Sequence, residues 1–236
     1  MPKLSAKQRV LHGIKGTKVF EAIMTVYDHA WLMRRESYAD HGEDVFVLEY
    51  FGRKTSGTYV DVGANHPFRV SNTYLLYRHG WSGITIEPIT RLYKQHCRHR
   101  PRDIQLNCGV GSSPGSMKLF ELTPGVMSTF EEAVALARID SGQALLVETR
   151  DIEITTLKAV ALKYLVGKTV DVLSVDTEGH DLDVLAGIDW EQFRPTLVIC
   201  ESFEDQRNAI DEYMQSHGYQ VLKRLGYNTV YEAMNA

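Results

Sequence analysis

Short runs of β-branched and other apolar residues alternate with segments of helical periodicity along most of the chain. Five such runs are Thr58–Val62, Gly83–Glu87, Asp103–Cys108, Asp171–Asp176 and Thr196–Glu201. Segments with apolar residues at helical spacing follow them or lie between them: Asn72–His79, Pro88–His99, Thr155–Val166, Asp181–Ile188 and Glu204–His217. Strands that alternate with helices predict βαβ units and a mainly parallel sheet. Several runs are apolar at nearly every position, which predicts helices on both faces of that sheet.

The C-terminal end of the chain follows a different pattern. Two strand-like runs, Tyr219–Leu225 and Thr229–Ala233, are separated only by Gly226, Tyr227 and Asn228. A parallel crossover needs about a dozen residues or more, so this connection predicts an antiparallel hairpin at the end of the sheet.

The N-terminal segment also differs from the rest. Residues 1–20 contain five basic and no acidic residues, and apolar residues recur at helical spacing from there to Leu32. We therefore expect an N-terminal helical extension over residues 1–36 and one domain over residues 37–236. The helix either packs on the domain or on a second copy in a homodimer, or residues 1–33 make a weak contact with an anionic membrane surface.

A segment of about 109–150 interrupts the alternation and is predicted to be an insertion. It contains a strand-like run at Ser116–Leu122, a turn, and a helical stretch at Phe130–Ile139. Insertions near strand ends often cover binding sites.

Composition narrows the classes of protein that remain. The chain has 236 residues, of which 44% are apolar and 24% charged, with a net charge of −4. These values exclude a wholly disordered chain and give no reason to expect a nucleic-acid partner. The apolar runs are shorter than the ~20 residues of a membrane span, and no signal-peptide pattern opens the chain. Three widely spaced cysteines indicate a reducing compartment, and we expect a cytoplasmic protein.

Candidate chemistry lies at the predicted strand ends, where open α/β sheets bind ligands. Asp61, Gly63 and Asn65 follow the first run, and Glu87 ends the second. A carboxylate at the second position can accept hydrogen bonds from ribose hydroxyls. Asn107, after the third run, either reads an adenine edge or caps a loop. The Gly-x-Gly-x-x-Gly fingerprint is missing, which favours S-adenosylmethionine (SAM) over a dinucleotide.

The fourth run ends in an unusual group of polar residues. Asp176, Glu178, His180 and Asp181 stand at the strand end and at the start of the next helix, and Glu201 ends the fifth run. Helix capping and the helix dipole explain Asp181 well. They explain less well why a histidine gathers with several carboxylates beside a predicted ligand cleft, so we interpret this group as functional.

These residues lie in segments that resemble the FkbM family of SAM-dependent methyltransferases. The matching segments, in family order, are SYADHGED (37–44), YVDVGAN (59–65), GWSGITIEP (80–88), LNCGVG (106–111), DVLSVDTEGHD (171–181) and RPTLVICE (194–201). The resemblance implies the class I methyltransferase fold, a Rossmann-like α/β architecture with seven strands and an antiparallel last strand.

The resemblance also assigns roles in cofactor binding. It implies that Asp61, Gly63, Ala64 and Asn65 form the first SAM-binding loop and that Glu87 holds the ribose. Asn107 and Asp176 complete the predicted cofactor site. Pro67 stands where many family members have glycine.

The expected reaction is O-methylation of a hydroxyl on a sugar, glycan or other small natural product. Such an acceptor must lose a proton, for which His180 is the first candidate and Asp176 the second, because a histidine pKa lies near neutral pH. Glu178 and Glu201 either orient the base, hold an acceptor hydroxyl or bind a divalent metal. The alternatives are an N-methyltransferase and a non-catalytic binding or membrane-associated module of the same fold.

Overall fold

The computed structural model describes residues 35–204 and 206–234, so the predicted N-terminal helix lies outside the described residues. The strands are β1 (Thr58–Val62), β2 (Ser82–Ile86), β3 (Ile104–Leu106), β4 (Gly109–Val110), β5 (Gly115–Thr123), β6 (Leu145–Thr155), β7 (Val172–Val175), β8 (Leu197–Glu201), β9 (Tyr219–Leu225) and β10 (Asn228–Ala233). The α-helices are α1 (Glu43–Tyr50), α2 (Tyr74–Arg78), α3 (Thr90–His99), α4 (Glu132–Asp140), α5 (Leu157–Tyr164), α6 (Asp181–Ala186) and α7 (Arg207–Ser216).

Seven strands form the main sheet in the order β3-β2-β1-β7-β8-β10-β9. The first five are parallel, and β10 runs antiparallel to both β8 and β9. This confirms the predicted mainly parallel sheet and its C-terminal hairpin. The strand order reverses between β1 and β7, and a ligand crevice is expected at the carboxyl ends of strands on either side of such a point.

Helices cover both faces of the main sheet, which explains the continuous apolar runs. On one face, alternate strand residues such as Val60, Leu173 and Val198 pack in a core with side chains of α5, α6 and α7. On the other face, Tyr59 and Val172 belong to a second core, which includes side chains of α1 and α2. Alternate residues of each strand thus bury apolar surface on opposite sides.

The insertion forms a separate three-stranded sheet in the order β4-β6-β5. Strand β5 and helix α4 match the predicted elements, whereas β6 runs to Thr155 and was not predicted. Most of its residues are exposed or half-buried, so it lacks the apolar run that identifies the main strands. Leu119 and Ile154 of this sheet pack against Ile89 and Leu92, which joins the insertion to the start of α3.

Helix α1 was not predicted either. The buried residues of its first turn are Glu43 and Asp44, so the sequence there lacks the apolar periodicity that indicates a helix. No helix among the described residues is both long and apolar enough to cross a lipid bilayer.

Candidate functional site

The turn after β1 brings the main chain of β1 close to that of β7. Gly63 has φ +74°, and a Cβ at this position would overlap the main-chain oxygen of Asp176, so only glycine fits here. The amides of Gly63 and Ala64 both donate to the carbonyl oxygen of Ile86, at 3.0 and 3.2 Å. Asn65 follows with φ +47°. The predicted loop therefore lies between the ends of β2 and β7.

Glu87 stands at the end of β2 and holds this loop in place. Its Oε2 accepts the amide hydrogen of Asn65 at 2.7 Å, and its Oε1 accepts that of Ile89 at 2.7 Å. The residue is only 4% exposed, and burial raises the pKa of Glu87 to about 8 against the lowering effect of these two bonds. Each carboxylate oxygen keeps a further acceptor site, which suits the ribose hydroxyls that the sequence predicts here.

A cleft lies at these strand ends, beneath a roof formed by the insertion. It encloses about 540 Å³ of space that opens to solvent. Gly63, Asn65 and Glu87 line one side, and Asp176, Thr177 and Glu178 line another. The remaining lining is mainly apolar and comes from the β2–α3 and β3–β4 connections and from the roof, including Ile89, Cys108, Val110, Leu119, Val126 and Phe130. The structure thus places the insertion over the cleft.

The roof is fixed at both ends by arginines. Arg150 of β6 donates to Thr90 Oγ1 at 3.1 Å and to the carbonyl oxygen of Pro88 at 3.3 Å. Arg138 of α4 donates to Glu178 Oε2 at 2.6 Å and to the carbonyl oxygen of Met127 at 2.7 Å. Sequence reasoning missed Arg138, because nothing in the local pattern connects a helical arginine to a glutamate 40 residues later.

Asp176, Glu178 and Glu201 come together at the ends of β7 and β8. Each offers a carboxylate oxygen, and these three oxygens lie within 4.8 Å of one another. Val175 pairs with Cys200 in the parallel register of β7 and β8, so Asp176 and Glu201 are neighbours across the two strands. The sequence analysis grouped these three carboxylates with His180 and Asp181; we call the three carboxylates alone the acidic cluster.

The negative charges of the acidic cluster have few cations or hydrogen-bond donors near them among the described residues. Burial and the negative charges of Asp176 and Glu178 raise the pKa of Glu201 to about 10. Burial and the charge of Asp181 raise the pKa of Asp176 well above its ordinary value. Glu201 is 4% exposed, and its Oε2 accepts no hydrogen bond from the described residues. Such a group takes up a proton or a cation more readily than an exposed carboxylate.

Asp181 has a different role from the acidic cluster. Its Oδ1 accepts the amide hydrogen of Thr177 at 2.9 Å, and its Oδ2 accepts that of Gly179 at 3.3 Å. These bonds order the loop that carries Glu178, which has φ +58°. Helix capping, the alternative considered for Asp181, does not describe these contacts, because both amides belong to the loop before α6 and this helix has no side-chain cap.

His180 and Asn107 lie outside the cleft lining. His180 Nε2 is 2.9 Å from Asp183 Oδ2, and its Nδ1 is 3.6 Å from Glu131 Oε1. Asn107 donates through Nδ2 to the carbonyl oxygens of Glu87 and Pro88, at 2.8 and 3.0 Å. The structure therefore places Asn107 as a loop cap, and it places His180 between two carboxylates beside the cleft.

Asp61 also lies away from the cleft lining, since its side chain belongs to a buried network. Its Oδ2 accepts a hydrogen bond from Thr73 Oγ1 and lies 3.9 Å from Arg100 Nη1. Burial raises the pKa of Asp61, while the charge of Arg100 opposes that rise. Three acidic residues were predicted to bind the cofactor. Glu87 and Asp176 line the cleft, whereas the side chain of Asp61 contacts Thr73 and Arg100.

The segment 37–44 lies against the turn of the C-terminal hairpin. Tyr227 donates a hydrogen bond to Asp40, and Asn228 Nδ2 donates to Glu43 Oε1 at 2.7 Å. Asn228 pairs with Glu201 across β10 and β8, so this segment borders the acidic cluster.

The residues at the cleft fit SAM. The Gly63 turn leaves no room for a side chain, and Glu87 offers acceptor sites for ribose hydroxyls. Apolar side chains such as Ile89 and Phe130 suit an adenine ring. The acidic cluster complements the positive charge of a sulfonium.

Comparison with known proteins gives the following matches. Three solved structures are similar over most of the chain. A protein of Klebsiella pneumoniae, provisionally described as an O-methyltransferase, is 11% identical with a TM-score of 0.44, covering 94% of this chain and 92% of that chain. A protein of Pyrococcus horikoshii, provisionally described as an RNA methyltransferase, is 12% identical with a TM-score of 0.42, covering 87% and 90%. The precorrin-6y C5,15-methyltransferase of Geobacter metallireducens GS-15 is 10% identical with a TM-score of 0.40, covering 81% and 87%.

No curated protein matches the chain. The profile of the methyltransferase FkbM domain matches residues 61–221, which contain the end of β1 and the acidic cluster. The chain therefore belongs to the FkbM methyltransferase domain family.

Proposed function

We propose that this protein transfers a methyl group from SAM to a hydroxyl group of a sugar, glycan or other small natural product. Membership of the FkbM family supports methyl transfer and the cofactor. The observation that carries the choice of a hydroxyl acceptor is the acidic cluster, whose carboxylates lie at the end of the cofactor cleft with raised pKa values.

The residues on the cofactor side of the cleft would bind and orient SAM. Glu87 would hold the ribose, the Gly63 turn would let the main chain approach closely, and the apolar roof would exclude water. When bound, SAM supplies an electrophilic methyl group whose sulfur leaves with the bonding electron pair. Activation thus comes with the cofactor, and the protein mainly contributes position and a dry site.

On the acceptor side, a carboxylate accepts the hydroxyl proton as the acceptor oxygen bonds to the methyl carbon. Asp176 lines the cleft, and burial together with the charge of Asp181 raises its pKa, which makes this carboxylate a stronger proton acceptor than an exposed one. His180 does not line the cleft, and we therefore place the base at Asp176. Glu178, held by Arg138, is placed to accept a hydrogen bond from the acceptor.

The need for a base favours a hydroxyl over an amine. A neutral amine attacks with its own lone pair and can lose its proton afterwards, whereas a hydroxyl is a weak nucleophile until its proton is removed. A buried acidic group of this kind gives a hydroxyl acceptor an advantage that an amine does not require.

The test is a methyl-transfer assay with isotope-labelled SAM and pairs of sugars that differ only in carrying a hydroxyl or an amino group. We expect label on oxygen, and we expect Asp176→Asn to lose about 100-fold or more in rate. Asp151→Asn, at an exposed position of β6, is the matched control and should keep the rate.

Three results would contradict the proposal. Label found only on nitrogen would establish an N-methyltransferase instead. A full rate in Asp176→Asn would remove that residue from the role of base. A calorimetric titration without binding of SAM or its demethylated product would indicate a non-catalytic module of the same fold.

A further inference from the structure

The acidic cluster has the arrangement of a cation site. Asp176 and Glu201 end neighbouring parallel strands, and Glu178 reaches the same point from the loop after β7. Their three oxygens lie within 4.8 Å of one another. Opposite oxygen ligands of one ion are about 4.0–4.2 Å apart for Mg²⁺ and about 4.6–5.2 Å apart for Ca²⁺, twice the metal–oxygen distance. The three oxygens can therefore surround one ion with little movement.

Glu201 supplies an independent observation that points to a ligand of this cluster. Its side chain is more than nine-tenths buried, and its Oε2 accepts no hydrogen bond from the described residues. The same fold satisfies other buried carboxylates with main-chain amides, as it does for Glu87 and Asp181. A buried carboxylate oxygen without a donor is costly unless a cation or a proton compensates it.

The local charge matches a divalent ion. Three carboxylates carry three negative charges when ionised, and Arg138 contributes one positive charge at 2.6 Å from Glu178 Oε2. Two negative charges remain within the acidic cluster, and the carboxylate of Asp181 adds negative charge beside it. Arg138 is itself held by the carbonyl oxygen of Met127, so it can orient Glu178 while the other oxygen of that residue binds an ion.

We propose that Asp176, Glu178 and Glu201 bind one divalent cation of the Mg²⁺ class. Carboxylate oxygens alone suit Mg²⁺, Mn²⁺ and Ca²⁺ better than the softer Zn²⁺ or Cu²⁺. Three protein ligands leave coordination positions for water or for the acceptor. A hydroxyl bound there would have a lowered pKa, and Asp176 could bind the ion through one oxygen and accept the hydroxyl proton on the other; this role of the ion rests on the proposed O-methyl transfer. The binding of the ion itself does not depend on the proposed function.

The test is a titration of metal-free protein with Mn²⁺, followed by electron paramagnetic resonance, without SAM or acceptor. We expect one bound Mn²⁺ per chain that excess Mg²⁺ displaces. Glu201→Gln should weaken Mn²⁺ binding at least tenfold, as loss of one charged ligand implies. Glu212→Gln, at an exposed position of α7, should bind Mn²⁺ like the wild type. Circular dichroism would establish that both variants are folded.

Two results would overturn the cation site: no stoichiometric Mn²⁺ binding by the wild type, or equal affinity in Glu201→Gln. Methyl transfer measured separately distinguishes the two proposals. Mn²⁺ binding without transfer to a hydroxyl would contradict only the proposed function, whereas transfer without Mn²⁺ binding would contradict only the cation site.

Discussion

Two groups of fully or partly buried acidic residues differ in how their charges are compensated. In the first, Arg100 is fully buried and donates from Nε to Asp103 Oδ2 at 2.8 Å and from Nη2 to Tyr59 and Thr73. Asp103 also accepts hydrogen bonds from the Tyr59 hydroxyl and the amide of Gly83. We call this group, with Asp61, the arginine network.

The second group is the acidic cluster, in which Arg138 reaches only Glu178 and Glu201 Oε2 accepts no bond from the described residues. Most buried polar groups in proteins are satisfied, and those that are not tend to occur at functional sites. We therefore interpret the arginine network as a group that stabilises the fold and the acidic cluster as a site that binds a ligand. Substitutions should affect stability in the first and activity in the second.

The largest expected effect is on the arginine network. Arg100→Met leaves Asp61 and Asp103 buried without their cation, so the free energy of unfolding should fall by about 3–5 kcal/mol. Denaturant unfolding measures this change. Arg98→Met, at an exposed position of α3, the helix that ends just before Arg100, should change stability by no more than about 0.5 kcal/mol. If Arg100→Met were as stable as Arg98→Met, the network would not support the fold as described.

A smaller effect is expected at Glu87. Its oxygens accept hydrogen bonds from main-chain amides, as in a structural residue, and it also lines the cleft, as a ligand-binding residue does. Its pKa of about 8 in the folded protein exceeds its ordinary value of 4.5. Ionised Glu87 is the better acceptor for ribose hydroxyls, so the affinity for SAM should rise from pH 6 to pH 9 in the wild type. Glu87→Gln should lose about tenfold in affinity at pH 9 and this part of the pH dependence.

The unfolding free energy should change with pH in the opposite direction to the affinity for SAM. A carboxyl group whose pKa is raised on folding lowers stability as the pH rises from 4.5 towards 8, because ionisation then costs more in the folded state. The difference in unfolding free energy between Glu87→Gln and the wild type should therefore move in favour of the variant over this range. Calorimetry and denaturant unfolding across the same buffers measure both effects. Parallel pH profiles for the two proteins would contradict the placement of Glu87.

The smallest effect is expected at Arg138, which joins the roof to the acidic cluster. The pair with Glu178 is only partly buried, at 19% and 24% side-chain exposure, so Arg138→Met should cost about 1 kcal/mol or less in stability. Since Arg138 orients Glu178, the KM for the acceptor should rise several-fold while kcat changes less. Steady-state kinetics with saturating SAM measures this, and an unchanged KM would leave the contact without a role in acceptor binding.

The main sheet could be predicted because local patterns carry it. Continuous apolar runs identify strands buried on both faces, and the three-residue connection at 226–228 permits only a hairpin. The second sheet could not be predicted, because most residues of β6 are exposed or half-buried and its sequence carries several charged residues. Its partner, and not its own pattern, makes it a strand.

Within the site, the sequence could place carboxylates at strand ends but could not distinguish their roles. Asp61 and Glu201 look equivalent along the chain. In the structure Asp61 faces Arg100, which lies 39 residues later, whereas Glu201 faces other carboxylates. A residue's electrostatic partners come from distant parts of the chain, and for this reason sequence patterns did not identify Arg138 or the contact between Asp61 and Arg100.

The comparison between the two groups is tested most directly at Glu201, by measuring unfolding free energy and methyl-transfer rate on the same preparation of Glu201→Gln. Replacing the poorly compensated carboxylate of Glu201 should leave the unfolding free energy unchanged or increase it. Because binding of the ion proposed to activate the acceptor hydroxyl would be weakened, the transfer rate should fall by about 10- to 100-fold relative to wild type and to Glu212→Gln. A loss of more than about 1 kcal/mol in stability together with an unchanged rate would contradict the account, since Glu201 would then be a structural residue like those around Arg100.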